Sequence, residues 1–266
     1  MTLDLPTLPG TQARALALAG QDDVGFKELA AVVETDPALT TAVLRAANSA
    51  LSAPIGRIET AEQALVRIGI QRTRHIVAGA VVAGGMSNLR RAGIDTDELW
   101  RHLVACALIA DVTAWGDVRR SAAFTAALLH DLGRMAMAQS EPAGYAMVVD
   151  LVREGADILH AEEQVFGVTH AALGAEAARA WNISNEIAEA IGDHHYGVLG
   201  PLSWVVWNSR KVVWSLGIGD GVERPVTATF DSTSEDAAVI ASLGGPEKFR
   251  TTVAWYTGAM TSAVTA

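Results

Sequence analysis

The chain has 266 residues, of which half are hydrophobic and 6% aromatic, and its formal net charge is −10. Such an acidic chain lacks the positive surface that sequence-independent nucleic-acid binding requires, so a nucleic-acid-binding function is disfavoured. The hydrophobic share is sufficient for a large core. Abundant alanine and short β-branched runs favour a mostly helical protein.

The first half of the chain predicts a series of short helices. After an extended start at residues 5–10, helices are expected up to residue 18, from about residue 25, and over residues 38–47, 59–68 and 71–84. Asp36 followed by Pro37 is a typical helix start, with the aspartate as N-cap and the proline in the first turn. A polar break over residues 87–93 predicts the boundary between two halves of the chain.

The second half continues the helical pattern. Asp95 and Glu98 form a capping-box pattern at the start of a helix that runs to residue 115. Thr169 and Ser184 are the predicted N-caps of two later helices. The predicted helices cover residues 121–138, 145–154, 156–166, 171–181, 186–193, 202–216, 234–243 and 246–257, with an extended segment at 225–230.

The compartment is indicated by three features. Cys106 is the only cysteine, which excludes an internal disulfide and favours a reducing compartment. Residues 1–4 lack the basic stretch of a secretory leader. The longest apolar run, residues 76–86, is too short to span a bilayer. We therefore expect a cytoplasmic protein without a membrane association.

His130 and Asp131 are adjacent and lie in an apolar, alanine-rich run. Imidazole and carboxylate can bind the same metal ion, and a buried charge is costly unless it is paired or coordinated. Further histidines from three other predicted helices give the candidate metal ligands, which are His102, His130, Asp131, His170, His194 and His195. Helical bundles commonly build metal sites from one or two ligands per helix.

Two alternatives remain open for these residues. His130 and Asp131 can instead form a buried hydrogen-bonded pair that ties helices together. Because neighbouring residues on a helix diverge by about 100°, one ring of the His194–His195 pair is expected at the surface.

A series of short motifs, in order, resembles the HDOD domain family, a branch of the HD superfamily related to the HD-GYP phosphodiesterases. The motifs are residues 5–9 (LPTLP), 28–33 (ELAAVV), 36–40 (DPALT), 43–50 (VLRAANSA), 61–69 (AEQALVRIG), 124–133 (FTAALLHDLG), 163–174 (EQVFGVTHAALG) and 181–184 (WNIS). The resemblance covers about residues 3–217.

The resemblance implies an all-α fold of two packed helical subdomains in a bacterial signalling protein. On this chain the N-terminal subdomain is residues 1–92 and the HD-like bundle is residues 93–217. We expect residues 218–266 to form a helical extension packed on the rest. The family resemblance further implies that HDOD domains bind or regulate, whereas HD-GYP proteins hydrolyse cyclic di-GMP at a two- or three-metal centre.

Compared with the HD-GYP pattern, this chain retains the six histidine and aspartate positions but departs in three places. The closing aspartate is matched by Asn208, the lysine after the His-Asp pair is replaced by Arg134, and the Gly-Tyr-Pro segment is missing after His195. Arg134 and Asn208 are therefore assigned to ligand binding, and no residue is assigned a catalytic role. With so few carboxylates, one transition metal (Fe, Mn, Ni or Zn) held mainly by imidazoles is favoured over two.

These observations predict a regulatory protein that binds a partner protein or a small ligand, such as a nucleotide, without turnover. The alternative is a metal-dependent phosphohydrolase or phosphodiesterase acting on a nucleotide such as cyclic di-GMP. Whether the chain forms a homodimer is left open.

The helical spacing of Trp204, Trp207 and Trp214 predicts core packing, with a partner-binding face as the alternative. Cys106 is expected to be an inert apolar residue.

Overall fold

The regular structure of the described residues is helical, without a β-strand among them, which confirms the all-α prediction. The structure, a computed structural model, describes residues 8–49, 56–85, 89–197, 200–223 and 235–261. In chain order the α-helices are α1 (Gly10–Ala19), α2 (Phe26–Glu34), α3 (Pro37–Ala47), α4 (Ala61–Ile68), α5 (Ile70–Gly84), α6 (Thr96–Thr113), α7 (Arg120–Leu129), α8 (Leu132–Ser140), α9 (Pro142–Arg153), α10 (Ile158–Phe166), α11 (His170–Ala180), α12 (Asn185–Asp193), α13 (Pro201–Ser215), α14 (Glu235–Ser242) and α15 (Pro246–Thr261).

The predicted helix caps are confirmed. The Asp36 side chain accepts hydrogen bonds from two backbone amides of α3, and Asp95 accepts one from the amide of Glu98 at 3.0 Å. Thr169 and Ser184 likewise cap α11 and α12. Each of these caps satisfies donors that the first turn of a helix leaves without a partner, so the helix starts are set locally.

Helix α6 lies at the centre of the C-terminal half. It packs against α7, α13 and α15, and nearly every side chain from Leu99 to Asp111 is buried. Helix α11 packs against both α8 and α12. This arrangement brings the middle of α6, the α7–α8 junction and the ends of α11 and α12 close together.

The predicted helix over residues 121–138 is wrong in one respect, because it is two helices that break at His130 and Asp131. The break lets Gly133, in the first turn of α8, lie against the backbone of α11. A Cβ atom at Gly133 would overlap the carbonyl oxygen of His170 and would lie 2.7 Å from the amide nitrogen of Gly174. The close approach between two helix backbones therefore depends on glycine.

The prediction that the tryptophans of α13 pack in the core is also wrong. Trp204 is 39% exposed, and Trp207 and Trp214 are half-buried. The opposite side of α13 supplies the buried valines, such as Val205 and Val212. Valine on one side and tryptophan on the other give this helix apolar residues all round, so periodicity alone did not show which side is buried.

The buried residues of both halves of the chain belong to one continuous hydrophobic core. Helix α5 packs against α7, and α15 packs against α3, α5 and α6. The predicted break at residues 87–93 coincides with a short 3₁₀ turn at Leu89–Ala92, although residues 86–88 lie outside the described residues. The predicted extended segment at 225–230 and most of the extended start also lie outside them. Among the described helices, none is both long and apolar enough to cross a bilayer.

Candidate metal centre

The predicted ligands come together in one buried cluster at the centre of the C-terminal half. His102 lies in α6, His170 is the first residue of α11, and His194 and His195 follow α12. His130 and Asp131 form the junction between α7 and α8. His130, Asp131, His170 and His194 have no solvent exposure, and His102 is 1% exposed.

Three imidazole nitrogens converge on the Asp131 carboxylate. His130 Nε2 lies 3.4 Å from Asp131 Oδ2, while His170 Nε2 and His194 Nε2 lie 3.2 Å and 3.7 Å from Oδ1. Burial opposes ionisation of Asp131, but the charge of Arg134 and the contact with His130 hold its pKa well below the usual range. The carboxylate is therefore an anion at the centre of the cluster.

The outer nitrogens of these rings are held by acceptors, which orients the inner nitrogens. His130 Nδ1 donates to the carbonyl oxygen of Ala127 at 2.7 Å, and His194 Nδ1 donates to that of Ile191 at 2.6 Å. A carbonyl oxygen can only accept, so each Nδ1 carries a proton, and each Nε2 is the ring nitrogen that faces the cluster. This is the orientation in which histidines bind metals.

His170 is oriented by a carboxylate that the sequence analysis missed. Glu162, on α10, lies 2.7 Å from His170 Nδ1, accepts from the His170 amide at 2.8 Å, and accepts from the Tyr145 hydroxyl at 3.0 Å. Burial opposes protonation of His170, but the charge of Glu162 and the hydrogen bonds with Asp131 and Glu162 together raise the pKa of the ring. Carboxylate–histidine pairs of this kind commonly support metal ligands.

Both rings of the His194–His195 pair lie in the cluster. His170 Nε2 is 3.2 Å from His194 Nε2 and 3.1 Å from His195 Nε2. The expectation that one of the two is a surface residue is wrong, because α12 ends at Asp193 and the chain turns there. His195 is nevertheless only partly buried, so this edge of the cluster is the one nearest to solvent.

Most of these rings are neutral. Burial lowers the pKa of His102 to about 3, and burial together with the Arg210 guanidinium lowers the pKa values of His194 and His195. Arg210 also donates a hydrogen bond to the carbonyl oxygen of His194 at 3.1 Å. Neutral imidazole is the form that binds a metal.

Arg134 is buried against two carboxylates. Its Nη1 lies 3.0 Å from Asp220 Oδ2 and 3.6 Å from Asp131 Oδ2, and the residue has no solvent exposure. The other Asp220 oxygen accepts from the backbone amides of Val222 and Glu223, which holds it in place. The guanidinium is therefore already neutralised by the protein itself.

Asn208 lies half-buried on α13, and among the described residues its side chain forms no hydrogen bond with the cluster. The additional carboxylate near Arg134 is instead Asp220, from the loop that follows α13.

Cys106, which was expected to be inert, lies with its Sγ 3.5 Å from His102 Nε2. Burial raises the pKa of this thiol.

One signal in the sequence indicates Glu162. It shares the buried side of α10 with Ile158, Ala161 and Phe166, so it is a carboxylate on an apolar face. Asp220 has no comparable local signal, since it lies in a loop. Its burial depends on the packing of distant segments.

The polar atoms of the cluster fit a divalent transition metal. His130 Nε2 and both Asp131 carboxylate oxygens are buried without a hydrogen-bond partner, which is costly unless a cation or proton lies between them. Three sets of donor atoms each lie within 4.8 Å of one another: His102–Cys106–His130, His130–Asp131–His194 and His170–His194–His195. The cluster can therefore hold a metal, mainly through imidazoles.

The all-α bundle and its buried histidine and aspartate cluster agree with the fold that the family resemblance implies. The chain belongs to the HDOD domain family, since the sequence model of the HDOD domain matches residues 5–196.

Solved structures support the fold. An HDOD domain protein with unknown function from Geobacter sulfurreducens has a TM-score of 0.72 at 23% identity, covering 99% of this chain and 94% of that one. A "Putative phosphohydrolase" from Shewanella amazonensis SB2B has a TM-score of 0.69 at 24% identity, covering 98% of this chain and 95% of that one.

Among protein sequences, an uncharacterized protein from Treponema pallidum (strain Nichols) is 25% identical over 196 residues. That match includes 72% of this chain but only 38% of the relative, so the chain spans well under half of its length.

Proposed function

We propose that this protein is a regulatory member of the HDOD family that acts by binding a partner protein or a small ligand and does not hydrolyse phosphate esters. The observation that carries the proposal is the pairing of the buried Arg134 guanidinium with two carboxylates of the protein. The guanidinium that would hold a substrate phosphate is paired with Asp131 and Asp220 inside the protein. Arg134 has no solvent exposure, so a phosphate would reach it only if the surrounding protein opened.

The burial of the cluster supports the same conclusion. A catalytic metal needs an open coordination position for water or substrate, whereas a structural metal is enclosed by protein ligands. Here the side chains of His130, Asp131, His170 and His194 are sealed from solvent. A metal at this centre would join the middle of α6 to the ends of α8, α11 and α12 and would transmit a change at one of them to the others.

An exposed aromatic surface near the cluster supports partner binding. Trp115 and Trp204 are 59% and 39% exposed, and their rings meet edge to face with centroids 6.5 Å apart. Trp115 borders a groove of about 420 Å³ whose lining includes Asp117, Glu189 and Asp193. Exposed aromatic side chains with charged rims are typical of protein-binding surfaces, and these carboxylates favour a basic partner.

A turnover assay on metal-loaded protein tests the proposal. The full chain is loaded separately with Mn, Fe and Ni and assayed against cyclic di-GMP and an aryl phosphodiester, next to His130→Ala and Asp131→Ala. We expect no hydrolysis above that of the two variants. Hydrolysis by the wild type that is lost in both variants would overturn the proposal. Thermal melting with a panel of nucleotides separates a small ligand, which raises the melting temperature, from a protein partner.

A metal-dependent phosphohydrolase is the second candidate function, and one observation favours it. His195 and the 58% exposed Tyr196 lie where the cluster comes nearest to solvent. If a substrate enters along this edge and releases Arg134 from Asp220, Asp220→Asn should raise the rate of hydrolysis. In a non-catalytic protein the same variant remains inactive.

A further inference from the structure

Cys106 has a place in the cluster that neither the family resemblance nor the histidine pattern assigns to it. His102 and Cys106 are four residues apart on α6, so both side chains lie on the same face of the helix. Helical metal motifs use this spacing for two histidine ligands. His130 approaches from the α7–α8 junction, and its ring centroid lies 5.3 Å from that of His102.

We propose that Cys106 is a metal ligand and that it forms, with His102 and His130, a thiolate-containing metal position on the α6 side of the cluster. The donor atoms of these three residues all lie within 4.8 Å of one another, and all three side chains are buried. The His130 Nε2 atom is buried and has no hydrogen-bond partner, so no protein group competes with a cation for it there.

The distances match a tetrahedral ion. Bond lengths of about 2.3 Å to sulfur and about 2.0 Å to nitrogen place a sulfur and a nitrogen ligand about 3.5 Å apart. Cys106 Sγ and His102 Nε2 are 3.5 Å apart. Asp131 Oδ2, 3.4 Å from His130 Nε2 and without a hydrogen-bond partner, offers a fourth donor.

This set of donors shares no residue with the set formed by the three imidazoles of His170, His194 and His195. On metal binding, the thiol proton of Cys106 leaves to solvent and the sulfur lone pair forms the bond to the metal. A thiolate favours borderline and soft ions, so the position should select Zn, Co or Fe over Mn or Mg. The inference does not depend on the proposed regulatory function, because sulfur ligation is measured without a turnover assay.

Cobalt substitution of the full chain tests the inference. The protein is produced in cobalt-supplemented medium, or stripped with a chelator and reloaded with Co²⁺, and its near-ultraviolet absorbance is recorded. We expect a thiolate-to-cobalt charge-transfer band. Because Cys106 is the only cysteine, the band has a single source.

Variants test whether the charge-transfer band arises from Cys106. Cys106→Ala and the conservative Cys106→Ser should abolish it and weaken Co²⁺ binding more than about tenfold, the least that losing even a supporting partner of a metal site costs. His160→Ala, an exposed histidine outside the cluster, should leave the band unchanged. Circular dichroism of each variant checks that it is folded.

The wild-type spectrum alone can refute the inference, so the test does not depend on the stability of the variants. Cobalt bound without a charge-transfer band, or no cobalt bound by either loading route, would overturn it.

Discussion

Replacing Arg134 by methionine should destabilise the metal-free protein strongly. Arg134 has no solvent exposure, and its Nη1 lies 3.0 Å from Asp220 Oδ2 and 3.6 Å from Asp131 Oδ2. Arg134→Met keeps most of the aliphatic chain but leaves two buried carboxylates without their cation. Removal of one partner from a buried ion pair costs about 3–5 kcal/mol, so we expect the free energy of unfolding to fall by that amount.

A double-mutant cycle isolates the ion pair. Asp220→Asn alone should also destabilise, because it leaves the guanidinium under-compensated. The double variant Arg134→Met/Asp220→Asn should lose about 1–3 kcal/mol less than the sum of the single variants, as expected for residues in direct contact. The assay is urea unfolding with a chelator present, followed by the fluorescence of the seven tryptophans.

The exposed ion pair between Arg90 and Asp97, at 2.6 Å, provides the matched control. Arg90→Met should cost less than about 1 kcal/mol, because both side chains are well exposed and solvated. A bound divalent metal replaces part of the missing positive charge, so metal loading should reduce the loss caused by Arg134→Met. Strict additivity in the cycle, or an Arg134→Met loss no larger than that of Arg90→Met, would refute this account of the buried pair.

Two further predictions concern the packing and the protonation of the cluster. Gly133→Ala should cost about 3 kcal/mol or more in urea unfolding, because its Cβ would overlap the His170 carbonyl oxygen. Gly192→Ala, whose Cβ would meet only the Ala175 side chain at 3.5 Å, should be neutral or slightly stabilising, and equal effects of the two variants would contradict the close approach. His102 binds a proton below about pH 6.5 in the unfolded chain but only near pH 3 in the folded protein, so folding loses stability as the pH falls between these values. Between pH 8 and pH 5 the free energy of unfolding falls by about 2 kcal/mol for this reason. In the metal-free protein, the His102→Gln variant should therefore lose about 2 kcal/mol less than the wild type over the same range. Parallel pH profiles of the two proteins would contradict the burial of a neutral ring.

Helix starts were predictable because they depend on near neighbours. Asp36 and Thr169 cap helices through backbone amides two or three residues away, so the cap residue and its partners are visible together in the sequence. The histidines of the cluster were also predictable, since their order along the helices matches the family pattern.

The residues that support the cluster were less predictable. Glu162 is marked only by its place on an apolar helix face, and Asp220 carries no local mark at all. Asn208, the position indicated by the family pattern for the closing aspartate, lies half-buried without a hydrogen bond to the cluster among the described residues. Pattern matching located the candidate ligands on their helices, but it missed Asp220, which pairs with Arg134, and Glu162, which orients His170.

The sequence by itself determined the helical class, the helix starts and the chemistry of the His130–Asp131 pair, because these depend on composition, spacing and neighbouring residues. Only the tertiary structure decided that the chain breaks between α7 and α8, that Arg134 is held by Asp220, and that Cys106 meets His102 and His130 at one point. The physical reason is distance along the chain. A buried charge is stabilised by residues far along the chain, 86 positions away for Arg134 and Asp220, and no local pattern encodes that pairing.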